Sequence, residues 1–121
     1  MKKIIILGSR GFLGKNLCEF FNNKDDFDLY PFSRDDLDFT DINILVEKVK
    51  SISPNYIIHS AVSLDDFENN IRMFYALETI AKFTEKLILI GSGAEYIASR
   101  YKPNMNEEYF PKEPVYPFDT Y

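Results

Sequence analysis

Ile4-Ile-Ile-Leu7 is an unbroken aliphatic run, not an alternation, which is the pattern of a strand covered by helices on both faces. It predicts a central parallel strand. The segment Gly8 to Gly14 leads into Phe12, Leu13, Leu17, Phe20 and Phe21, whose spacing suits the buried face of a helix ending near Asn22-Asn23. Asp28 to Phe32 predicts a short second strand, followed by an aspartate-rich polar connection from Ser33 to Asp41. From Asp41, a residue that can cap, Ile42, Leu45, Val46, Val49 and Ile52 recur at helical spacing, with Pro54 just beyond the stop. Tyr56 to Ala61 reads as another buried strand that opens onto small residues. Phe67 to Phe83 predicts a third helix with Ile71, Phe74, Tyr75, Leu77, Ile80 and Ala81 on its apolar side, and Leu87 to Ile90 a further buried strand broken by Gly91-Ser92-Gly93. Strands and helices alternate throughout, so the class is α/β with right-handed crossovers.

The remainder changes character. Pro103, Pro111, Pro114 and Pro117 fall between Lys102 and Tyr121, which predicts a long loop of the kind that serves as a lid or substrate-side segment. The stop at Tyr121, without a closing strand or helix, reads as a truncation. At 121 residues, 45% apolar and 27% charged, the chain is expected to fold as one domain with a real core, without help from disulfides. Cys18 has no internal partner, which fits a reducing cytoplasm and supplies no metal cluster, so no metal site is expected. Fourteen basic against nineteen acidic residues, net charge -5, argue against a protein that coats nucleic acid or binds anionic membranes. The aliphatic run near the N-terminus is too short for an export signal or a membrane span, and the expectation is a cytoplasmic chain.

Candidate chemistry begins at Gly8-Ser-Arg-Gly-Phe-Leu-Gly14, a G-x-x-G-x-x-G spacing set between a strand and a helix. Glycine torsions allow the tight turn, a backbone without side chains admits a pyrophosphate to the helix N-terminus, and the third glycine lets helix and strand pack closely. An ordinary glycine-rich turn would use the same residues, but the strand-to-helix context favours a dinucleotide site. At the end of the second strand an acidic residue would hold a ribose 2′-hydroxyl, whereas arginine suits a 2′-phosphate. Ser33-Arg34 stands there, and Arg10 can reach the same phosphate, so the expected cofactor is NADP, with NAD possible. Asp35 or Asp36 could instead hold a ribose, with both arginines as solvated charges.

These residues resemble the extended short-chain dehydrogenase/reductase family, the NAD(P)-dependent nucleotide-sugar epimerases, dehydratases and reductases. The turn Gly8, Arg10, Gly11, Phe12, Leu13, Gly14 and the segment Ser33-Arg-Asp-Asp-Leu-Asp-Phe-Thr-Asp41 are most similar to the GDP-fucose synthase subgroup, which implies that Arg34 meets the 2′-phosphate and that Asp38 and Phe39 contact adenine. Ile57-Ile-His-Ser-Ala-Val62 resembles the strand lying along the cofactor, with Ala61 and Val62 toward the nicotinamide. Asn69-Asn70-Ile71 resembles a helix segment whose second asparagine supports catalysis. Leu89-Ile-Gly-Ser-Gly-Ala-Glu-Tyr96 resembles a strand-end motif that implies catalytic Ser92, and Pro117-Phe-Asp-Thr-Tyr121 resembles the approach to Tyr-x-x-x-Lys, which implies catalytic Tyr121. The resemblance implies a Rossmann-type, doubly wound parallel sheet in three layers. Residues 1–121 would be the N-terminal part of the NAD(P)-binding domain, with the C-terminal substrate-binding region absent.

The implied reaction is hydride transfer at a sugar carbon with proton transfer by Tyr121 and alignment of the reacting oxygen by Ser92. A phenol, with pKa about 10, needs a neighbouring ammonium to act as a base near neutrality. The motif's lysine would follow four residues after Tyr121, beyond this chain, so the chain alone is expected to be inactive. Plainer readings stand beside these: Ser92 ends a strand, Tyr121 is a chain terminus, Asn69 or Asn70 caps a helix, Cys18 is structural, and His59 is a packed, hydrogen-bonded core residue. A non-catalytic dinucleotide sensor or protein-interaction module is the alternative to an enzyme acting on a nucleotide sugar. An uncovered sheet edge also predicts a homo-oligomer.

Overall fold

The computed structural model describes residues 1–91. The elements are β1 (Lys2–Leu7), α1 (Phe12–Asn22), β2 (Phe27–Phe32), α2 (Ile42–Ile52), β3 (Tyr56–His59), α3 (Phe67–Ile80), a 3-10 turn at Ala81–Phe83, and β4 (Lys86–Leu89). The four strands pair in parallel in the order β2-β1-β3-β4, with Ile5 beside Tyr30 on one side and Ile57 on the other. Each strand-to-strand connection passes through a helix, as parallel pairing requires.

The aliphatic run of β1 is explained by its position. Ile5 and Leu7 enter a core with Leu45, Val49 and Ile57 and with Met73, Ala76, Leu77 and Ile80 of α3, while Ile4 and Ile6 pack with Ile58 against Leu17, Cys18 and Phe21 of α1. Successive side chains of one strand therefore serve opposite cores, so no position of the inner run is left for a polar residue. The layers are α1, the sheet, and α2 with α3. This is a Rossmann-type α/β fold.

Local signals set the helix ends. Asp41 accepts a hydrogen bond from Ile44 N at the start of α2, and Asp66 does the same for Asn69 N at the start of α3. Asp66, not Asn69 or Asn70, is therefore the cap. The α2 helix ends on Ser53 in a left-handed conformation, φ 53°, and Lys3 Nζ donates to the Ile52 carbonyl at 2.9 Å.

Several expectations about burial are corrected. In α3 the buried face is Met73, Ala76, Leu77 and Ile80, while Ile71, Phe74 and Tyr75 are exposed, and Ala81 and Phe83 belong to the 3-10 turn. The apolar stripe is wider than the packed one, and helix rotation is set by the i, i+3, i+4, i+7 set that meets the sheet. In α1, Phe12 and Phe20 are exposed and Gly14 is the buried residue, because close approach to the sheet is made where there is no side chain. Strand β4 is buried only in part: Leu87 packs on the core, while Ile88 and Leu89, and Ile90 just beyond the strand, are exposed, because among the described residues β4 pairs with β3 alone. Strand β3 stops at His59, before Ser60 and Ala61.

Candidate functional site

The chain leaves β1 for β2 on one side and returns as β3 on the other, so the C-terminal ends of these strands flank a topological switch point. A cleft of about 530 Å³ opens there. Its walls are Gly8, Arg10, Gly11, Phe12 and Leu13 from the first turn, Ser33, Arg34 and Asp35 after β2, and Ser60, Ala61 and Val62 after β3.

The turn is held by its backbone. Gly8 N and Ser9 N both donate to the Phe32 carbonyl, at 2.9 and 3.0 Å, and Gly11 N donates to the Gly8 carbonyl at 3.1 Å. Ser60 fixes the other side, its N–H and hydroxyl donating to the Leu7 carbonyl at 2.8 and 3.0 Å. Gly8 has φ +96°, and a Cβ there would stand 2.7 Å from Ala61 N. A side chain at Gly8 is thus excluded twice, by torsion and by contact.

Gly11 differs from its neighbours. A Cβ on it would meet nothing nearer than the Gly8 carbonyl oxygen at 3.5 Å, an ordinary contact, so the fold itself does not demand glycine there. Gly11 is also the N-cap of α1, which has no side-chain cap and no acidic residue in its first turn, in contrast to α2 and α3, whose caps are aspartates. The α1 N-terminus therefore presents backbone N–H groups and the positive end of its dipole to an open cleft. That arrangement accommodates an anion approaching the backbone, and it fits the pyrophosphate of a dinucleotide.

Among the acidic residues that follow β2, most are committed locally. Asp36 Oδ2 accepts from Ser33 N and Ser33 Oγ, both at 2.8 Å. These bonds, backbone first, hold its carboxyl below the usual range, with Arg10 adding to the effect. Asp38 Oδ1 accepts from Thr40 N at 2.9 Å and from Thr40 Oγ1 at 2.6 Å, the hydroxyl bond being the larger cause of its lowered pKa. Asp35 instead reaches across the cleft wall, where its Oδ2 accepts from Arg10 at 2.6 Å.

Nine of the expected cofactor residues line this cleft: Gly8, Arg10, Gly11, Phe12, Leu13, Ser33, Arg34, Ala61 and Val62. Gly14 lies behind the turn, where a Cβ would overlap the Gly8 carbonyl oxygen and lie 2.7 Å from its carbon. Asp38 and Phe39 are not on the cleft wall. Phe39 is 1% exposed and its ring sits edge-on to His59 with centroids 6.3 Å apart, so its side chain belongs to the core. Asn70 grips the backbone of Ser63, its Oδ1 accepting from Ser63 N and its Nδ2 donating to Ser63 O, both at 2.7 Å. Ser92 and Tyr121 lie outside the described residues, as does the proline-rich segment. The role of Ser60 went unread in the sequence, where its signal was only a small polar residue after an apolar strand.

His59, at the end of β3, is packed in the core as expected. It is buried, and among the described residues its Nδ1 has no hydrogen-bond partner. Burial drives its pKa down to about 4, against a smaller opposing pull from the Ala61 backbone.

The chain matches the model of the NAD dependent epimerase/dehydratase family over residues 4–121. It belongs to that family. A curated family relative, GDP-6-deoxy-D-talose 4-dehydrogenase of Aggregatibacter actinomycetemcomitans, is 32% identical over 90 residues, which cover 71% of this chain and 29% of that protein. The chain thus spans under a third of that relative's length. Among solved structures, the dTDP-4-dehydrorhamnose reductase of Bacillus anthracis in complex with NADP is 32% identical over 69% of this chain and 30% of its own, with a TM-score of 0.51. The GDP-L-fucose synthetase of Naegleria fowleri bound to NADP covers 98% of this chain and 39% of its own at 20% identity and a TM-score of 0.78, a likeness of fold.

Proposed function

We propose that this chain is the cofactor-binding portion of a nucleotide-sugar epimerase, dehydratase or reductase, and that its cofactor is NADP(H). One observation carries the reading: the uncapped N-terminus of α1 opens, across a glycine that packing does not require, onto a cleft walled by Arg10 and Arg34. The NADP named with two of the similar structures supports it.

In this reading the backbone of Gly11, Phe12 and Leu13 binds the pyrophosphate, and Arg10 and Arg34 bind the 2′-phosphate. The Asp38–Phe39 segment lies on the adenine side, and Ala61 and Val62 form the wall toward the nicotinamide. Bound there, the nicotinamide supplies a hydride donor or acceptor for chemistry at a sugar carbon. Asn70 holds the Ser63 backbone, and through it the segment after β3, in place. Tyr121 is assigned the proton transfer and Ser92 the hydrogen bond to the reacting oxygen. As a base near neutrality Tyr121 requires a neighbouring ammonium to lower its pKa, the role the resemblance gives to the motif's lysine. We further assign the whole enzyme to the cytoplasm, as a homo-oligomer; among the described residues no helix is long and apolar enough to cross a membrane.

The test is a calorimetric titration of the chain with NADPH and with NADH, repeated on an Arg10→Ala, Arg34→Ala variant. Tighter binding of NADPH, with that preference lost in the variant, is expected. Failure of both cofactors to bind contradicts the reading.

A further inference from the structure

The geometry points to Asp35 as the residue that sets how strongly the cleft discriminates a 2′-phosphate from a 2′-hydroxyl, by competing for Arg10. This inference rests on the dinucleotide reading above and adds a residue to it. The segment after β2 carries Asp35, Asp36, Asp38 and Asp41, and three of them are spent on their own backbone: Asp36 on Ser33, Asp38 on Thr40, and Asp41 as the cap of α2. Asp35 alone of the four lines the cleft, and its partner is the Arg10 guanidinium at 2.6 Å, twenty-five residues away in sequence.

The ion pair is not needed to hold the two loops together. Its side chains are 66% and 78% exposed, so it contributes little to stability. The turn is already tied to β2 through the Phe32 carbonyl, and the β2 loop is already closed by Asp36 on Ser33. What the pair does is occupy a guanidinium at the mouth of the site. A 2′-phosphate must draw Arg10 away from Asp35 and then sit beside the carboxylate's negative charge, which opposes it. A 2′-hydroxyl makes neither demand: Arg10 stays where it is, and Asp35 Oδ1, which takes no hydrogen bond among the described residues, can accept from the hydroxyl. Asp35 thus lowers the preference for NADPH that two arginines would otherwise confer, and it gives NADH a foothold in the same site.

The experiment is a titration of the chain and of its Asp35→Asn variant with NADPH and NADH, and with 2′-phospho-ADP-ribose and ADP-ribose, which isolate the adenosine end. The substitution keeps the size of the side chain and removes its charge. It should tighten NADPH and weaken NADH, raising the NADPH preference by roughly three- to tenfold at low salt and less at high salt. In an Arg10→Ala background the gain for NADPH should shrink. If both cofactors bind and Asp35→Asn leaves their ratio unchanged or lowers it, the role of Asp35 is overturned while the dinucleotide site stands. If neither cofactor binds the unaltered chain, the dinucleotide reading falls and this inference with it.

Discussion

The Cα of Gly14 packs so closely on Gly8 that a methyl group added to it would overlap the Gly8 carbonyl oxygen. The first turn of α1 and the end of β1 are thereby locked together through backbone alone, with the Gly11 N–H closing onto the same carbonyl at 3.1 Å. The three glycines of the motif consequently have different reasons to be glycine. Gly8 and Gly14 are required by the fold, whereas at Gly11 the fold leaves room for a side chain.

Substitution should separate these reasons. Gly8→Ala and Gly14→Ala are each expected to cost on the order of 2–3 kcal/mol, through overpacking against backbone that cannot yield and, at Gly8, through the positive φ as well. Gly11→Ala should stay within about 1 kcal/mol of the parent, since its torsions are ordinary and its nearest neighbour is at contact distance. Urea unfolding of the three variants checks the order, and equal losses at all three positions would contradict it.

His59 sets an acid limit on stability. Its folded-state pKa, about 4, lies below the ordinary value of 6.5, so folding favours the neutral ring. The stability it contributes is therefore complete above pH 6.5 and is lost as pH falls toward 4, by roughly 3 kcal/mol once the ring is charged in both states. Asp36, Asp38 and Glu85, whose pKa values are lowered, act in a separate window: their contribution is present above the ordinary carboxylate range and disappears below it. Denaturation at pH 7.0, 5.5 and 4.5 should show a decline that His59→Leu removes. A decline of the same size in His59→Leu would assign the acid sensitivity elsewhere.

Asn70 is expected to act on the segment after β3 and not on the helix that carries it. Asn70→Ala removes both hydrogen bonds to Ser63 and leaves part-buried backbone groups unpaired, at a cost of about 1–3 kcal/mol. Asn70→Asp keeps the acceptor for Ser63 N but sets a carboxylate oxygen against the Ser63 carbonyl, and should cost at least as much. Amide exchange at Ser63 should accelerate in Asn70→Ala while α3 amides keep their protection. Loss of protection throughout α3 would make Asn70 a folding residue instead.

How far the sequence revealed this architecture depends on what kind of information each feature needs. The central strand, the glycine turn and the capped α2 were legible because each is a local pattern with a local cause: an unbroken Ile4–Leu7 run, a G-x-x-G-x-x-G spacing, and Asp41 before a helical period. The rotation of α3 was not, because Ile71, Phe74 and Tyr75 are as apolar as Met73, Ala76 and Leu77, and only the sheet decides which set is covered. Strand β4 misled for a related reason, since an aliphatic run reports composition and not the number of neighbouring strands. In the cleft, backbone features were readable and side-chain pairings were not. The Arg10–Asp35 contact joins two loops far apart in the chain, and the burial of Phe39 against His59 is decided by tertiary packing.

Whether the α1 N-terminus receives the cofactor is tested by an NADPH titration of the chain beside its Gly11→Val variant, with unfolding midpoints taken in parallel. Valine tolerates the extended torsions of Gly11, φ -71° and ψ 169°, and places its methyl groups where an anion would approach the α1 N-terminus. Saturable one-site binding by the unaltered chain is expected, with a fall of at least about tenfold in Gly11→Val and a midpoint changed by little more than a cap substitution costs. Undiminished binding in Gly11→Val, or no binding by the parent chain, would contradict it.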